Sequence, residues 1–274
     1  MNDMSTTPNL GTQMTGQTIL AAERVRKQFG TGSSAFLAID DVSFTLRRGE
    51  FVCIVGPSGA GKTTLLNCLT GLMLPTEGTV SFEGETIKAS PAGMAVVFQD
   101  YGRSLFPWLN VAHNVAFPLQ GKGIDRSTIT ARVDAALDAV GLRGTRRKYP
   151  WQLSGGMQQR VAIARALAYK PDCLVMDEPF ASVDAQTRFE LEDLLLQVRH
   201  DYVISVVFVT HDIDEAVYLS DRVVVLTRSP ASVRELISVH LERPRDQVRT
   251  RRDPRFSELR TTLFELVQTQ HDDN

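Results

Sequence analysis

Cysteine is scarce in this 274-residue chain: Cys53, Cys68 and Cys173 are an odd number, form no C-x-x-C pair, and each lies among apolar neighbours. That excludes a disulfide framework and a thiolate metal site, and predicts buried, reduced thiols of a cytosolic protein. Long apolar runs are missing too. The most apolar long stretch, residues 203–209, falls far below the roughly 20 residues that cross a bilayer. Residues 1–18, rich in Thr, Asn, Gln and Gly, have neither the basic start nor the apolar stretch of a signal peptide. They are expected to be a disordered tail, and if the chain works at a membrane, another chain must cross it. There is no excess of either charge: 30 Lys plus Arg against 32 Asp plus Glu leave a net charge of -2, so nothing global draws the protein to nucleic acid or anionic lipid. No internal repeat is present.

What is present is a globular composition, with 43% hydrophobic and 23% charged residues, which excludes a disordered, collagen-like or coiled-coil chain. The length predicts one α/β core with an inserted or appended subdomain. Over residues 19–46 short apolar runs alternate with polar residues and turn signals such as Gly30-Thr31-Gly32, which fits an antiparallel edge sheet. Phe51-Val52-Cys53-Ile54-Val55 is a continuous apolar run, expected of a strand buried on both faces, followed by a glycine-rich turn and a helix over residues 62–69. Further buried strands are expected at 95–98, 174–176, 203–209 and 223–226, with helices at 187–198 and 213–219, so the core should be a mostly parallel sheet covered on both faces. Between Gln99 and Tyr169 the strand pattern gives way to helical segments at 130–140 and from Ser154 onward, broken by Pro107, Pro118, Gly141 and Pro150. The division that follows is an α/β core over 19–98 and 171–230, a helical insertion over 99–170, and an Arg-rich connector with a final amphipathic helix over 231–274. Arg243, Arg245, Arg249, Arg251, Arg252 and Arg255 in that last region are interleaved with acids and read as a solvated connector.

Five stretches carry chemistry. Gly56-Pro57-Ser58-Gly59-Ala60-Gly61-Lys62-Thr63 fits the G-x-x-x-x-G-K-[ST] phosphate loop in its required context, buried strand before and helix after. Glycines let backbone N–H groups close around phosphates, Lys62 reaches the β and γ phosphates, and Thr63 offers a hydroxyl to Mg²⁺. Cys173-Leu174-Val175-Met176-Asp177-Glu178 is a strand ending in two carboxylates at the edge where parallel sheets bind ligands. Asp177 would hold Mg²⁺ and Glu178 would polarise water as general base; alone, such a pair is more often a cap or a turn. Val207-Phe208-Val209-Thr210-His211-Asp212 ends in a histidine able to reach a γ-phosphate or the attacking water, although a lone histidine there fits a helix cap as well. Gln99, after Val96-Val97-Phe98, has an amide that can serve both Mg²⁺ and a moving lobe. Leu153-Ser154-Gly155-Gly156-Met157-Gln158 opens a small-residue helix, a second anion site without a lysine of its own, as if for a nucleotide held by another subunit.

In this order the phosphate loop, Gln99, the Ser154-Gly155-Gly156-Met157-Gln158 signature, Asp177-Glu178, Ser182-Val183-Asp184 and His211 resemble the ATP-binding cassette (ABC) ATPases, over residue 19 to about 227. The resemblance implies a P-loop NTPase α/β fold with an antiparallel β subdomain and an inserted helical subdomain, and a head-to-tail homodimer that sandwiches two ATP molecules. It places Phe29 against adenine, Gly56, Pro57, Ser58, Gly59, Ala60, Gly61, Lys62, Thr63 and Thr64 around the phosphates, and Ser154, Gly155, Gly156, Gln158 and Asp184 on the partner's nucleotide. Glu178, His211, Gln99 and Lys62 take the catalytic roles, and Thr63, Gln99 and Asp177 the Mg²⁺. Phe106-Pro107-Trp108-Leu109 with Asn114-Val115, and Leu241-Glu242-Arg243-Pro244-Arg245-Asp246, resemble the nitrate, sulfonate and taurine importer group. That implies a peripheral subunit on the cytoplasmic face of the inner membrane, docked through the stretch from Gln99 to Leu109 on a permease dimer fed by an extracytoplasmic solute-binding protein, with no nucleic acid partner. Trp108 would be docking surface or, equally, lobe core. Phe29 stands where tyrosine is commoner, Val183 where leucine is, and Tyr101-Gly102-Arg103-Ser104 lengthens the docking segment. The competing readings are a soluble ABC protein of DNA repair or translation, disfavoured by a single cassette without coiled-coil insertion or basic charge, and a kinase on the same phosphate loop, disfavoured by the signature.

Overall fold

A computed structural model describes residues 16–100 and 104–268. Its centre is β3 (Phe51–Val55), with all five residues buried. Phe51, Cys53 and Val55 join one apolar core, Val52 and Ile54 another, because successive strand side chains point to opposite faces. The same division holds for β7 (Cys173–Asp177) and β8 (Ser205–Val209), also buried throughout. These strands build a six-stranded sheet of order β10-β9-β3-β8-β7-β6, where β6 is Met94–Val97, β9 is Arg222–Leu226 and β10 is Val233–Ser238. All neighbours are parallel except β10, which runs antiparallel to β9.

A second, four-stranded antiparallel sheet has β1 (Thr18–Phe29) between β2 (Phe36–Arg47) and β4 (Glu77–Phe82), with the short β5 (Glu85–Thr86) beyond. It covers one core together with α1 (Lys62–Leu69). Asp40 N donates to Ala231 O and Ala231 N to Ala38 O, which ties the two sheets together. The other core lies under α2 (Val111–Ala116), α3 (Arg126–Ala139) and α4 (Gly155–Ala168), and continues beneath α5 (Ala185–Tyr202) and α6 (Ile213–Leu219).

Several expectations need correction. The proposed tail over 1–18 overlaps ordered structure: Thr18 pairs with Arg47 and Arg48 N donates to Gln17 O, while residues 1–15 lie outside the described residues. The strand expected at 95–98 is an edge strand, with Ala95 and Val96 only half-buried and Phe98 exposed, because nothing pairs beyond it in the sheet order. The strand expected from Val203 starts at Ser205; helix α5 runs on to Tyr202 and closes with Val203 at φ 53°.

The largest departure is at the C-terminal end. β10 extends the main sheet, followed by α7 (Arg249–Arg252) and α8 (Pro254–Gln268), and although Arg243, Arg249, Arg252 and Arg255 are exposed as a solvated connector requires, Arg245 and Arg251 are half-buried. Arg243 forks onto Asp221, and Arg251 pairs at 2.9 Å with Glu192, which is 1% exposed. The Arg251 guanidinium also lies 5.0 Å from the ring centres of Phe189 and Tyr218. Arginines carrying apolar stems and planar charge cover a surface that lysines would leave hydrated.

Candidate active site

Parallel strands put their carboxyl ends on one edge, so β3, β6, β7 and β8 deliver their following residues to the same crevice. From β3 comes the phosphate loop. Gly59 and Gly61 have φ of 77° and 83°, a left-handed backbone that side-chain-bearing residues adopt at a cost. A Cβ on Gly61 would also press to 3.0 Å on Ala38 O, so glycine is demanded twice. Ser58, Gly59 and Thr63 are exposed, Pro57 and Thr64 half-buried, and Gly56, Ala60 and Lys62 buried.

Lys62 Nζ donates to the carbonyls of Gly56 and Pro57, 3.0 Å each, and lies 3.9 Å from Glu178 Oε1. Burial pushes its pKa below the ordinary lysine value, while Glu178 and Asp177 pull it upward. Asp177, the last residue of β7, accepts a hydrogen bond from Thr63 Oγ1 at 3.0 Å. Burial raises its pKa, which the Thr63 hydroxyl counteracts.

Glu178 is where the strand ends converge. Its Oε2 is 3.0 Å from His211 Nδ1 and accepts from Gln99 Nε2 at 3.4 Å. Its backbone has φ 40°, uncommon for a residue with a side chain and typical of functional positions that the surroundings over-determine. Here the Glu178 amide, donating to Val209 O, holds the turn. Thus Lys62, Gln99, Asp177, Glu178 and His211, predicted from four separate stretches, are brought into one cluster.

The remaining predicted residues lie elsewhere. Phe29 ends β1, with Lys27 Nζ 5.5 Å from its ring centre. Ser154 caps α4 by accepting from Met157 N, and Ser154 and Gly155 are exposed. Gln158 Nε2 donates to the carbonyls of Pro150 and Leu153, which braces the signature against the preceding turn. Gly156 faces helix α5 so closely that a Cβ would fall 2.3 Å from Thr187 Cγ2. Asp184 caps α5, its carboxylate accepting from Thr187 N and Oγ1; the Thr187 hydroxyl holds its pKa below the usual carboxylate range. Trp108 is 71% exposed, at 5.4 Å from the Phe106 ring, and is not lobe core. Tyr101, Gly102 and Arg103 of the docking segment lie outside the described residues.

The donor set suits Mg²⁺. A hydroxyl, one carboxylate and an amide oxygen leave room for the waters and phosphate oxygens that a small, reluctantly dehydrated cation retains. Among the described residues no cluster of three or more His, Cys, Asp or Glu forms a metal cage. Three residues escaped the sequence reading: Arg188, Asp212 and Glu215, which surround the His211 segment. Asp212 is the N-cap of α6 and Glu215 lies in its first turn, and nothing in a linear sequence places Arg188 opposite them.

The ABC transporter family profile matches residues 39–181, over half of the chain. The chain belongs to the ABC transporter family. The cassette is 42% identical over 255 residues to the nitrate import ATP-binding protein NrtD of Synechococcus elongatus, covering 91% of this chain and 92% of that one. It is 40% identical over 259 residues to the bicarbonate transport ATP-binding protein CmpD of Synechocystis, covering 93% and 91% respectively. Among solved structures, a dimeric bacterial ABC transporter cassette superposes with a TM-score of 0.71 at 32% identity, covering 81% of this chain and 99% of that one. The cassette is an ABC ATPase in fold, with the sheet and helical lobe of that class.

Proposed function

We propose that this cassette is the ATP-hydrolysing subunit of an importer for a small anion. The observation that carries the reading is the convergence of His211 Nδ1 and Gln99 Nε2 on Glu178 Oε2, beside Lys62. Relatives named for nitrate import and bicarbonate transport favour a small anionic cargo; sulfonates and taurine are the other members of the set.

In this reading ATP lies along the phosphate loop with its adenine at Phe29, and Lys62 exchanges its Gly56 and Pro57 carbonyls for phosphate oxygens. Thr63, Asp177 and Gln99 would hold Mg²⁺, which would supply charge neutralisation to the phosphates when bound. Glu178 accepts the proton of the attacking water, and His211, with Nδ1 3.0 Å from Glu178 Oε2, fixes that carboxylate beside the γ-phosphate. Ser154, Gly155, Gly156, Gln158 and Asp184 of a second copy complete the site from across a homodimer, which is supported by the dimeric neighbour.

Among the described residues no helix is long and apolar enough to cross a membrane, so the lipid-spanning part belongs to a permease. Exposed Trp108 and Phe117, packed on the half-buried Phe106 ring, offer it an aromatic surface. The subunit then sits peripherally on the cytoplasmic face, and a solute-binding protein on the far side supplies cargo. The DNA repair and translation reading loses ground to the transporter relatives, and a kinase has no use for the signature.

The test is Glu178→Gln, tagged and purified with ATP from detergent-solubilised native membranes. The expected outcome is a nucleotide-bound dimer, turnover lowered about 10²–10⁴-fold, and co-purification of a multi-span permease. Turnover at the wild-type rate would remove Glu178 from the chemistry, and recovery of ribosomes or nucleic acid without a permease would restore the soluble alternative.

A further inference from the structure

Behind His211 lies a charged cluster that this hydrolysis scheme leaves without a task. Arg188 NH1 lies 2.8 Å from Asp212 Oδ2, and Arg188 Nε 3.6 Å from Glu215 Oε1. Thr210 Oγ1 donates to Glu215 Oε2 at 2.6 Å and accepts from Asp212 N at 3.0 Å. Asp212 divides its carboxylate: Oδ1 caps α6 by accepting from Asp214 N and Glu215 N, and Oδ2 is left for Arg188. Both residues that flank His211 are therefore tied by their side chains.

Apolar packing does little to fix the histidine itself. Its side chain is 59% exposed, and a polar cavity of about 30 Å³ beside it is lined by Glu178, Ala181, Arg188, Asp212 and Glu215. A cavity of that kind can hold water, so it does not wedge a ring in place. What fixes the segment is the set of polar ties: the Thr210 amide donates to Ile54 O of β3, and among the side-chain ties of Thr210 and Asp212 found in the described residues, the one from outside their own segment and α6 is that of Arg188. Arg188 is in the first turn of α5, its amide donating to the carbonyl of the cap residue Asp184. The loop 182–184 and the His211 segment are thus joined through one guanidinium.

We propose that Arg188 is a positioning residue that sets His211 against Glu178 according to the position of the 182–184 loop. The proposal rests on reading Glu178 and His211 as the hydrolytic pair. A guanidinium hydrogen-bonded to Asp212 Oδ2, with its Nε held 3.6 Å from Glu215 Oε1 by charge alone, passes a shift of α5 to the residues on both sides of His211, which a lysine point charge would do only in part. Hydrolysis then answers to whatever moves the 182–184 loop, in the proposed dimer the approach of the second copy.

The test is a double-mutant cycle on the full chain, measuring MgATP turnover and, by labelled γ-phosphate release, the residual rate of slow variants. Arg188→Ala is expected to lower kcat on the order of tenfold or more, as misplacement of a catalytic group does, while KM stays within about twofold because the phosphate loop is untouched. Arg188→Lys should recover part of the loss. In a His211→Ala background, Arg188→Ala should add nothing further, since the group it positions is gone. An equal loss in both backgrounds, or a wild-type kcat in Arg188→Ala, overturns the proposal. If Arg188→Ala does not fold, Asp212→Asn takes its place in the cycle, since it keeps Oδ1 for the cap and removes the charge facing Arg188. Glu178→Gln, run alongside, separates the two levels: full turnover there overturns the hydrolytic reading itself, whereas a dead Glu178→Gln with additive Arg188 and His211 losses overturns only the coupling.

Discussion

The two ends of the cassette that would grip phosphate differ in whether the protein already occupies them. In the phosphate loop the Lys62 ammonium is buried and spends two of its three donors on the loop's own carbonyls. At the signature, Ser154 and Gly155 are exposed, and the nearby Arg160 is committed to Val140 O and Glu190. The first end has charge but must release it; the second is preformed but has no cation to contribute. Such a division is what the proposed function calls for, with one end for initial binding and the other for a nucleotide brought to it.

The largest effect should come from removing the charged end. Lys62→Ala should weaken ATP binding to the isolated chain by about a hundredfold, the scale of losing charge-assisted hydrogen bonds to phosphate, as measured by titration with a fluorescent nucleotide. Affinity unchanged from wild type would mean that Lys62 stays on its own carbonyls in the complex, and the contrast between the two ends would fail at the first of them.

A smaller and more selective effect is expected at the signature. Gly156→Ala drives a methyl into Thr187, since a Cβ at this position would fall 2.3 Å from Thr187 Cγ2, and overpacking of this kind costs about 1–3 kcal/mol. ATP binding to the isolated chain should survive, while ATP-dependent dimerisation, read by light scattering in a Glu178→Gln background, should fall. Adding Thr187→Ser removes that methyl but keeps the hydroxyl that donates to Asp184, so the double variant should regain the dimer. Failure of Thr187→Ser to rescue would show that the glycine is needed for backbone approach to a ligand and not for room against α5.

What could be read in the sequence followed chain continuity. Residues 51–69, strand, loop and helix, needed only local pattern, and helix α1 begins and ends where the periodicity places it. Asp177, Glu178 and His211 were legible because a parallel sheet sends every strand end to one edge. The distance of 3.0 Å between Glu178 and His211, by contrast, depends on register between β7 and β8, which no local pattern encodes. Of the C-terminal arginines, the half-buried Arg245 and Arg251 were misread for the same reason. Arg251 looks solvated in a mixed-charge run, and its partners Glu192, Phe189 and Tyr218 are distant in sequence, on two other helices. Arg188 belongs to this class: its partners Asp212 and Glu215 are contributed by another helix terminus.

The smallest expected effect sharpens what the signature serine does. Ser154 Oγ accepts from Met157 N at a long 3.4 Å, so its capping contribution should lie at the low end of the usual range of about 0.5–2 kcal/mol. A glycine at an N-cap costs only a few tenths of a kcal/mol relative to serine, whereas alanine costs more. If the hydroxyl serves only the helix, Ser154→Gly should dimerise with ATP almost as wild type and Ser154→Ala slightly less, in step with their melting temperatures. If the hydroxyl meets the γ-phosphate of a nucleotide carried by a second copy, both variants should lose the dimer to the same extent while Ser154→Gly keeps its melting temperature. The open, uncharged end of the cassette predicts the second pattern, because an exposed hydroxyl with a weak intramolecular bond has hydrogen-bonding capacity left for a ligand.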